Sequence, residues 1–174
     1  MRRDRRVLAA LTAAAALAFV AGCDKDEAAE QPAELVDLKP ALGVKELWSV
    51  GVGDDAERMR LALGLAHEQG VLYAGSRDGK VTALDAASGK ARWSVDTKAE
   101  LSAGPGVRGS MLAFGTSDGR VLALDAASGA TLWKTKVGGE VLAAPLVTTD
   151  RVVVRTVDGR LRALDAASGK EQWS

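Results

Sequence analysis

The sequence predicts an all-β protein built from copies of one four-stranded sheet, and three observations carry that prediction. The string Ala-Leu-Asp-Ala-Ala-Ser-Gly occurs three times, and successive copies are offset by 40 residues. A tryptophan follows each copy, and an Asp-Gly pair precedes each copy. A period near 40 residues is typical of a stacked supersecondary unit, and Asp-Gly favours tight hairpins. We therefore predict an incomplete β-propeller, with about three blades plus a leading strand.

The second copy shows how one unit divides into four strands. Residues 101–107 form a short apolar run interrupted by glycine and proline, as expected of an innermost strand. Residues 111–115 and 120–125 follow as two strands joined by an Asp-Gly hairpin, and residues 131–137 form the outer strand. The other two copies align with this one without a gap. Glycines recur too often, and the 3.6-residue apolar period is too rare, for a helical solenoid.

A partial copy precedes the three complete ones. Residues 45–50 match residues 90–95, so they predict a lone outer strand that would complete the ring. The connection after them, residues 51–60, is longer than its counterparts. Propellers typically need about four to eight blades to close. We therefore expect this chain to be the N-terminal part of a longer propeller.

The first 22 residues predict an export signal. Arginines dominate the start, and residues 7–20 are uncharged, which is too short for a comfortable membrane span but suits a signal-peptide core. The small residues before Cys23 resemble the lipobox of bacterial lipoproteins. That resemblance implies cleavage before Cys23 and lipid attachment to it, which would hold the protein to a membrane. An ordinary signal peptide with a chance cysteine is the alternative.

Residues 23–43 are expected to be the acylated cysteine and a flexible tether, with the partial propeller at residues 44–174. The tether is acidic, contains Pro32 and Pro40, and has few large apolar groups, so it cannot bury enough surface to fold alone. Asp24 resembles an inner-membrane retention signal of enteric bacterial lipoproteins. The outer membrane, facing the periplasm, is the expected location, and the inner membrane stays open.

The charge balance argues against a nucleic-acid partner, and the cysteine count excludes an intrachain disulfide. Without residues 1–22, the chain would carry 19 basic and 22 acidic residues. No basic patch is present, so we expect no nucleic-acid partner. Cys23 is the only cysteine, so no intrachain disulfide is possible.

The repeated string together with its tryptophan resembles the tryptophan-docking motif of the quinoprotein (PQQ-like) propellers. In that family the tryptophan packs between neighbouring blades, while the aspartate and a small hydroxyl residue tie a turn together. The resemblance implies structural roles, and Ser88, Ser128 and Ser168 would be turn residues. The docking residues are Asp85, Gly89, Trp93, Asp125, Gly129, Trp133, Asp165, Gly169 and Trp173.

Within these propellers, the lipobox, the acidic tether and residues 35–40 and 44–50 are similar to the BamB family of outer-membrane β-barrel assembly lipoproteins. That resemblance implies an eight-bladed, non-catalytic propeller that needs no cofactor. It also implies binding to the POTRA domains of BamA and assistance to the insertion of β-barrel proteins. No partner-contact residue is carried over to this chain.

A PQQ-dependent quinoprotein dehydrogenase is the alternative, and another periplasmic PQQ-like propeller, such as a sensor domain, is a third. The dehydrogenases resemble one another in a central PQQ, a calcium ion, a catalytic aspartate and often a vicinal disulfide. This chain has no cysteine pair, and its acidic residues fall mainly in turns and linkers. We predict no catalytic residue and no metal site. The single histidine, His67, is expected to be a turn residue at the end of an inner strand.

Four-stranded blades would place the loops on two rims. The inter-blade connections and Asp-Gly hairpins share one rim, which includes residues 51–60, 96–100 and 137–140. Residues 67–70, 108–110 and the Ala-Ser-Gly turns share the other. The first rim varies more between copies, and we hypothesise that it meets a protein partner; a solvated charged loop is the alternative. Its residues without counterparts are Asp54, Asp55, Glu57, Arg58 and Arg60.

Overall fold

The computed structural model describes residues 34, 42–53 and 62–174, and its strands lie in the compact unit Val44–Ser174. Each copy of the repeat forms one antiparallel four-stranded sheet, so the predicted all-β propeller fold is confirmed. None of the described residues is helical.

A short strand β1 (Ala62–Leu63) comes first. Blade 1 contains β2 (Leu65–Glu68), β3 (Val71–Gly75), β4 (Lys80–Asp85) and β5 (Ala91–Asp96). Blade 2 contains β6 (Leu101–Arg108), β7 (Met111–Thr116), β8 (Arg120–Asp125) and β9 (Thr131–Lys136). Blade 3 contains β10 (Leu146–Val147), β11 (Arg151–Arg155), β12 (Leu161–Asp165) and β13 (Glu171–Trp173).

The hydrophobic core lies between the blades. One buried cluster joins blades 1 and 2, and a second joins blades 2 and 3. Blade 2 is therefore covered on both faces, and its strand β8 is a nearly continuous apolar run with Val121 and Leu122 both fully buried. Burial on both faces explains why the strict polar-apolar alternation of a half-exposed strand is absent here.

Close approach of the blades requires glycine in the second strand of two sheets. A Cβ on Gly75 would lie 2.7 Å from the ring of Phe114, and one on Gly115 would lie 2.5 Å from Val141. Each glycine therefore admits a side chain from the next blade. The same position of blade 3 holds the exposed Arg155.

The turns divide between two rims as the sequence predicts. At the docking rim, the amides of Ala86, Ala126 and Ala166 donate to the carbonyls of Gly70, Ser110 and Asp150 in the preceding hairpin of the same blade, at 2.8–3.0 Å. At the hairpin rim, the amides of Thr97 and Val137 donate to Gly79 and Gly119 at 2.9 and 2.8 Å. The docking rim and the hairpin rim are the two edges of the stack of blades.

The predicted leading strand is not formed. Residues 45–50 have no ladder partner and are irregular, although the side chain of Trp48 contacts blade 1. An outer strand needs the third strand of its own sheet, and the described residues supply none for this segment. The first inner strand also differs from the expectation of one continuous strand. It divides at Gly64, so that β1 pairs in parallel with β6 of blade 2 while β2 pairs within blade 1.

Several predicted features lie outside the described residues. These are the export signal 1–22, Cys23, most of the tether, and the charged residues Asp54, Asp55, Glu57, Arg58 and Arg60. Within the part that is described, no helix has the length and apolarity needed to cross a membrane.

Candidate functional site

The most regular polar feature of the structure is the turn Asp-Ala-Ala-Ser-Gly, here called the docking turn, which occurs once in each blade. In blade 1, the carboxylate Oδ1 of Asp85 accepts the backbone N–H and the side-chain O–H of Ser88 at 3.0 and 2.8 Å. The corresponding distances are 2.8 and 2.6 Å in blade 2, and 2.8 and 2.7 Å in blade 3. An aspartate that bonds to the backbone a few residues on stabilises a turn in this way.

The glycine that ends each docking turn is required for two reasons. Its φ lies at +70°, +75° and +69° at Gly89, Gly129 and Gly169, a region that side chains rarely adopt. A Cβ there would also lie 2.6–2.9 Å from the indole of Trp48, Trp93 or Trp133 respectively. Only glycine allows both this backbone turn and the indole that covers it.

Each described indole bond runs from one segment to the docking turn of the blade that follows it. Trp93 donates from Nε1 to the carbonyl of Ala126 at 3.1 Å, and Trp133 donates to Ala166 at 2.8 Å. Trp48 makes the same bond to Ala86 at 3.2 Å, although its own segment is not a strand. Three successive docking turns are therefore joined by the same kind of contact.

Trp173 occupies the equivalent position in blade 3 but has a different environment. Its side chain is 44% exposed, whereas that of Trp133 is 9% exposed. Its indole makes no hydrogen bond to any residue that the structure describes. Blade 3 therefore has the complete sequence motif, but its tryptophan lacks the hydrogen bond that Trp93 and Trp133 make to the following docking turn.

The carboxylates of the docking turns are held in their ionised form. Arg92, whose guanidinium lies 2.9 Å from Asp85, acts with Ser88 to lower the pKa of Asp85 to about 2. Hydrogen bonds from Ser128 and Ser168 lower the pKa of Asp125 and Asp165 respectively. A carboxylate with a lowered pKa and its oxygens engaged is poorly suited to exchange protons near neutral pH. These aspartates therefore stabilise turns.

A second repeated contact, which was not predicted from the sequence, lies at the hairpin rim. Thr116 and Thr156 donate from Oγ1 to the carboxylates of Asp118 and Asp158 at 2.6 and 2.5 Å, and Ser76 donates to Asp78. The signal was present in the sequence, because a serine or threonine stands two residues before each Asp-Gly pair. Each hydroxyl fixes the aspartate that begins the hairpin.

The remaining predicted residues do not converge. His67 lies exposed within β2 and pairs with Leu72, so it is a strand residue and the expected turn position is wrong. Ser88, Ser128 and Ser168 lie in the docking turns. No group of three or more acidic, histidine or cysteine side chains is placed to hold a metal ion within the described ranges.

Comparison with known proteins places the repeat in a family. The sequence model of the family "Outer membrane protein assembly factor BamB" matches residues 33–102 and 77–174. The chain is 41% identical over 105 residues to the assembly factor BamB of Alkalilimnicola ehrlichii. The aligned region covers 60% of this chain and 26% of that protein. The chain thus spans about a quarter of the length of this curated relative.

Solved structures agree with this assignment. The crystal structure of BamB from Moraxella catarrhalis matches with a TM-score of 0.60 and 30% identity, over 67% of this chain and 35% of that one. A quinohemoprotein alcohol dehydrogenase from Pseudomonas putida matches with a TM-score of 0.57 and 26% identity, over 66% and 21% respectively. The dehydrogenase shares the blade architecture, whereas the family model covers most of the chain from residue 33 onward. The chain belongs to the family of the outer-membrane protein assembly factor BamB.

Proposed function

We propose that the protein is a non-catalytic scaffold of the machinery that assembles β-barrel proteins in the outer membrane, and that it binds the POTRA domains of a BamA-like subunit. The observation that carries this proposal is the family match over residues 33–174, together with relatives that are named assembly factors. A rigid stack of blades with loops on two rims is the kind of scaffold that presents a surface to a protein partner.

The chemistry of the docking turns supports a role without catalysis. The most regular carboxylates, Asp85, Asp125 and Asp165, each accept two hydrogen bonds from a serine of their own turn. Identical residues at identical positions of a repeat serve the repeat. A catalytic group would be expected to depart from it.

We propose that the hairpin rim contacts the partner. In blade 1, this rim carries an ion pair between Arg77 of the hairpin and Glu100 of the inter-blade loop, with N and O atoms 3.2 Å apart. Gly53 packs against the same hairpin, since a Cβ there would overlap the side chain of Ser76. Segment 54–60 follows Gly53 in the sequence and contains acidic residues that the other copies lack.

The test is capture of purified POTRA domains by the intact protein. Charge reversal in segment 54–60 (Asp54→Lys, Asp55→Lys and Glu57→Lys together) should weaken capture by about tenfold or more. The matched control reverses a docking-rim charge, Asp150→Lys, and should leave capture unchanged. Equal capture by both variants would place the partner surface elsewhere, and no capture by the unaltered protein would overturn the proposed partner.

We further propose that the mature protein begins at Cys23, with residues 23–43 as its tether and residues 44–174 as the start of the propeller. We propose that its lipid anchor holds it at the outer membrane, facing the periplasm. The inner membrane is the alternative, because Asp24 resembles a retention signal for that membrane. Metabolic labelling with palmitate and membrane fractionation test both points. Cys23→Ser should abolish the label and release the protein, and Asp24→Ser should show whether Asp24 determines the membrane.

A PQQ-dependent dehydrogenase is the second candidate, because the alcohol dehydrogenase from Pseudomonas putida shares the blade architecture. Incubation of the intact protein with PQQ and calcium tests it directly. Cofactor absorbance together with alcohol oxidation would favour the enzyme over the scaffold.

A further inference from the structure

A cavity of about 280 Å³ opens at the docking rim between blades 1 and 2. Its walls come from β2, β3 and β5 of blade 1 and from two turns of blade 2. Polar groups at the wall are Glu68, Tyr73 and Arg92, and Val71 and Trp93 add apolar surface. This volume lies below the usual range of drug-sized pockets and suits a single side chain or a molecule of similar size.

The polar groups of this wall depart from the repeat, although the scaffold that carries them does not. Forty residues later, Tyr73 corresponds to Ala113, Arg92 to Leu132, and Glu68 to Arg108. The equivalent junction between blades 2 and 3 therefore keeps the docking turn and the tryptophan but has neither the phenol nor the carboxylate. Packing of blades does not need these groups, because the second junction packs without them.

Tyr73 brings an unpaired polar atom to the cavity. Its side chain is only 5% exposed, and its ring lies 6.1 Å from that of Trp93. The ring is held in the core between blades 1 and 2, while the hydroxyl makes no hydrogen bond to any described residue. The hydroxyl is therefore free to accept a hydrogen bond from a ligand in the cavity.

Both signs of charge act on the Tyr73 hydroxyl, and Arg92 has the largest effect of the charged groups. Burial raises the pKa of Tyr73, Arg92 opposes that shift, and Glu68 and Asp125 add to it. Arg92 is paired with Asp85 at 2.9 Å, whereas Glu68 has no ion-pair partner among the described residues. Glu68 accepts the amide of Gly109 with Oε1 at 2.7 Å, which fixes the carboxylate across the junction.

We propose that this cavity binds an alkylammonium group, with Glu68 as the counter-ion, the Tyr73 hydroxyl as a second acceptor, and Trp93 and Val71 against its apolar stem. Carboxylate and aromatic groups together are the usual surroundings of an organic cation in proteins. A lysine side chain has the required stem and head. A free alkylamine presents the same chemistry.

The test uses the intact ¹⁵N-labelled protein and n-butylammonium chloride, observed at the indole N–H resonances of Trp93 and Trp133. A saturable shift is expected at Trp93, which lines the cavity, and none at Trp133. Glu68→Gln should weaken binding by about tenfold, and Tyr73→Phe by a smaller factor. Both variants keep the shape of the original side chain. The control Glu140→Gln removes a carboxylate at the opposite rim and should change nothing.

Two comparisons decide the chemistry and the source of the ligand. n-Butanol and n-butyrate should leave the Trp93 resonance in place. An equal response to either, or equal affinity in Glu68→Gln, would overturn the proposal. A short peptide with a central lysine should then be compared with its Nε-acetyl-lysine form. Tighter binding of the lysine peptide than of butylammonium identifies a polypeptide as the ligand, and equal binding identifies a free amine.

Discussion

Blades 2 and 3 carry the same motif in different surroundings. Their docking turns agree closely, with serine O–H to aspartate distances of 2.6 and 2.7 Å. Their apolar positions do not agree, because Val121 is fully buried while its counterpart Leu161 is 53% exposed. Trp133 and Trp173 differ in the same direction.

This difference separates what a blade makes alone from what it makes with a neighbour. The turn depends on residues within five positions of one another, so it forms in every blade. Burial of the tryptophan depends on a docking turn some 33 residues further along the chain. The repeat therefore has a local part and a shared part, and substitutions should distinguish the two.

The largest expected effect is at Trp133. In the 174-residue chain, Trp133→Ala should lower the free energy of unfolding by about 3–5 kcal/mol, because it empties a buried site and leaves the Ala166 carbonyl without its donor. Trp173→Ala should cost less than about 1 kcal/mol. Urea denaturation measures both, and equal losses would contradict the distinction between the two blades.

The next effect tests the glycine beneath the indole. Gly169→Ala places a Cβ about 2.6 Å from the ring of Trp133 at a φ of +69°, so a loss of about 3 kcal/mol is expected. Gly159→Ala is the matched control, since its φ is +81° and nothing lies within 4 Å of the added Cβ. It should cost about 1–2 kcal/mol. The difference in Tm between the two variants measures the effect of the indole contact. Equal shifts in Tm would contradict the claim that the indole requires glycine at this position.

A smaller effect is expected at a hydroxyl that crosses the junction. Thr135 donates from Oγ1 to the carbonyl of Gly169 at 2.7 Å, and Val95 holds the same position at the first junction. Thr135→Val keeps the shape and should lose about 1 kcal/mol. Thr131→Val, on an exposed side chain of the same strand, should stay within about 0.5 kcal/mol. No difference between the two variants in denaturant titrations would show that packing alone joins these blades.

The smallest effect concerns acid pH and contrasts blades 1 and 2. Asp85 has Arg92 beside it, whereas Asp125 has Leu132 at the same position. Because the folded pKa of Asp85, about 2, lies below its ordinary value of 3.8, its contribution to stability is present above about pH 4 and is lost as the pH falls towards 2. Carboxyl NMR titration should show a higher pKa for Asp85 in Arg92→Gln.

The reciprocal variant Leu132→Arg provides the control for that titration. It places a guanidinium beside Asp125 and should lower the pKa of that carboxyl further. An Asp85 pKa that does not respond to Arg92→Gln would show that Ser88 alone holds the charge.

The sequence predicted those parts of the fold that depend on near neighbours. The offset of 40 residues located the blades, and each Asp-Gly pair located a hairpin. It did not locate the parts that depend on neighbouring sheets. Residues 45–50 have the composition of a strand but no strand partner among the residues that the structure describes. The first inner strand divides at Gly64 because its first part pairs with β6.

The docking motif and the cavity differ in the same way. Three identical copies of Asp-Ala-Ala-Ser-Gly indicate a turn, but nothing in them shows that an indole contacts the following blade rather than its own. The cavity left no sequence signal, because Glu68, Tyr73 and Arg92 lie on different strands and each resembles ordinary drift from the repeat. Only the packing of two blades brings them to one wall.

The direction of the indole bonds determines the order in which the blades can join as the chain emerges. Trp93 emerges 33 residues before Ala126, and Trp133 emerges the same distance before Ala166. Each of these bonds can form only after the next sheet has emerged almost to its outer strand. Until then, the tryptophan of the preceding blade stays exposed to solvent. A chain that emerges N-terminus first therefore keeps an apolar face of its newest blade uncovered until the next sheet has formed.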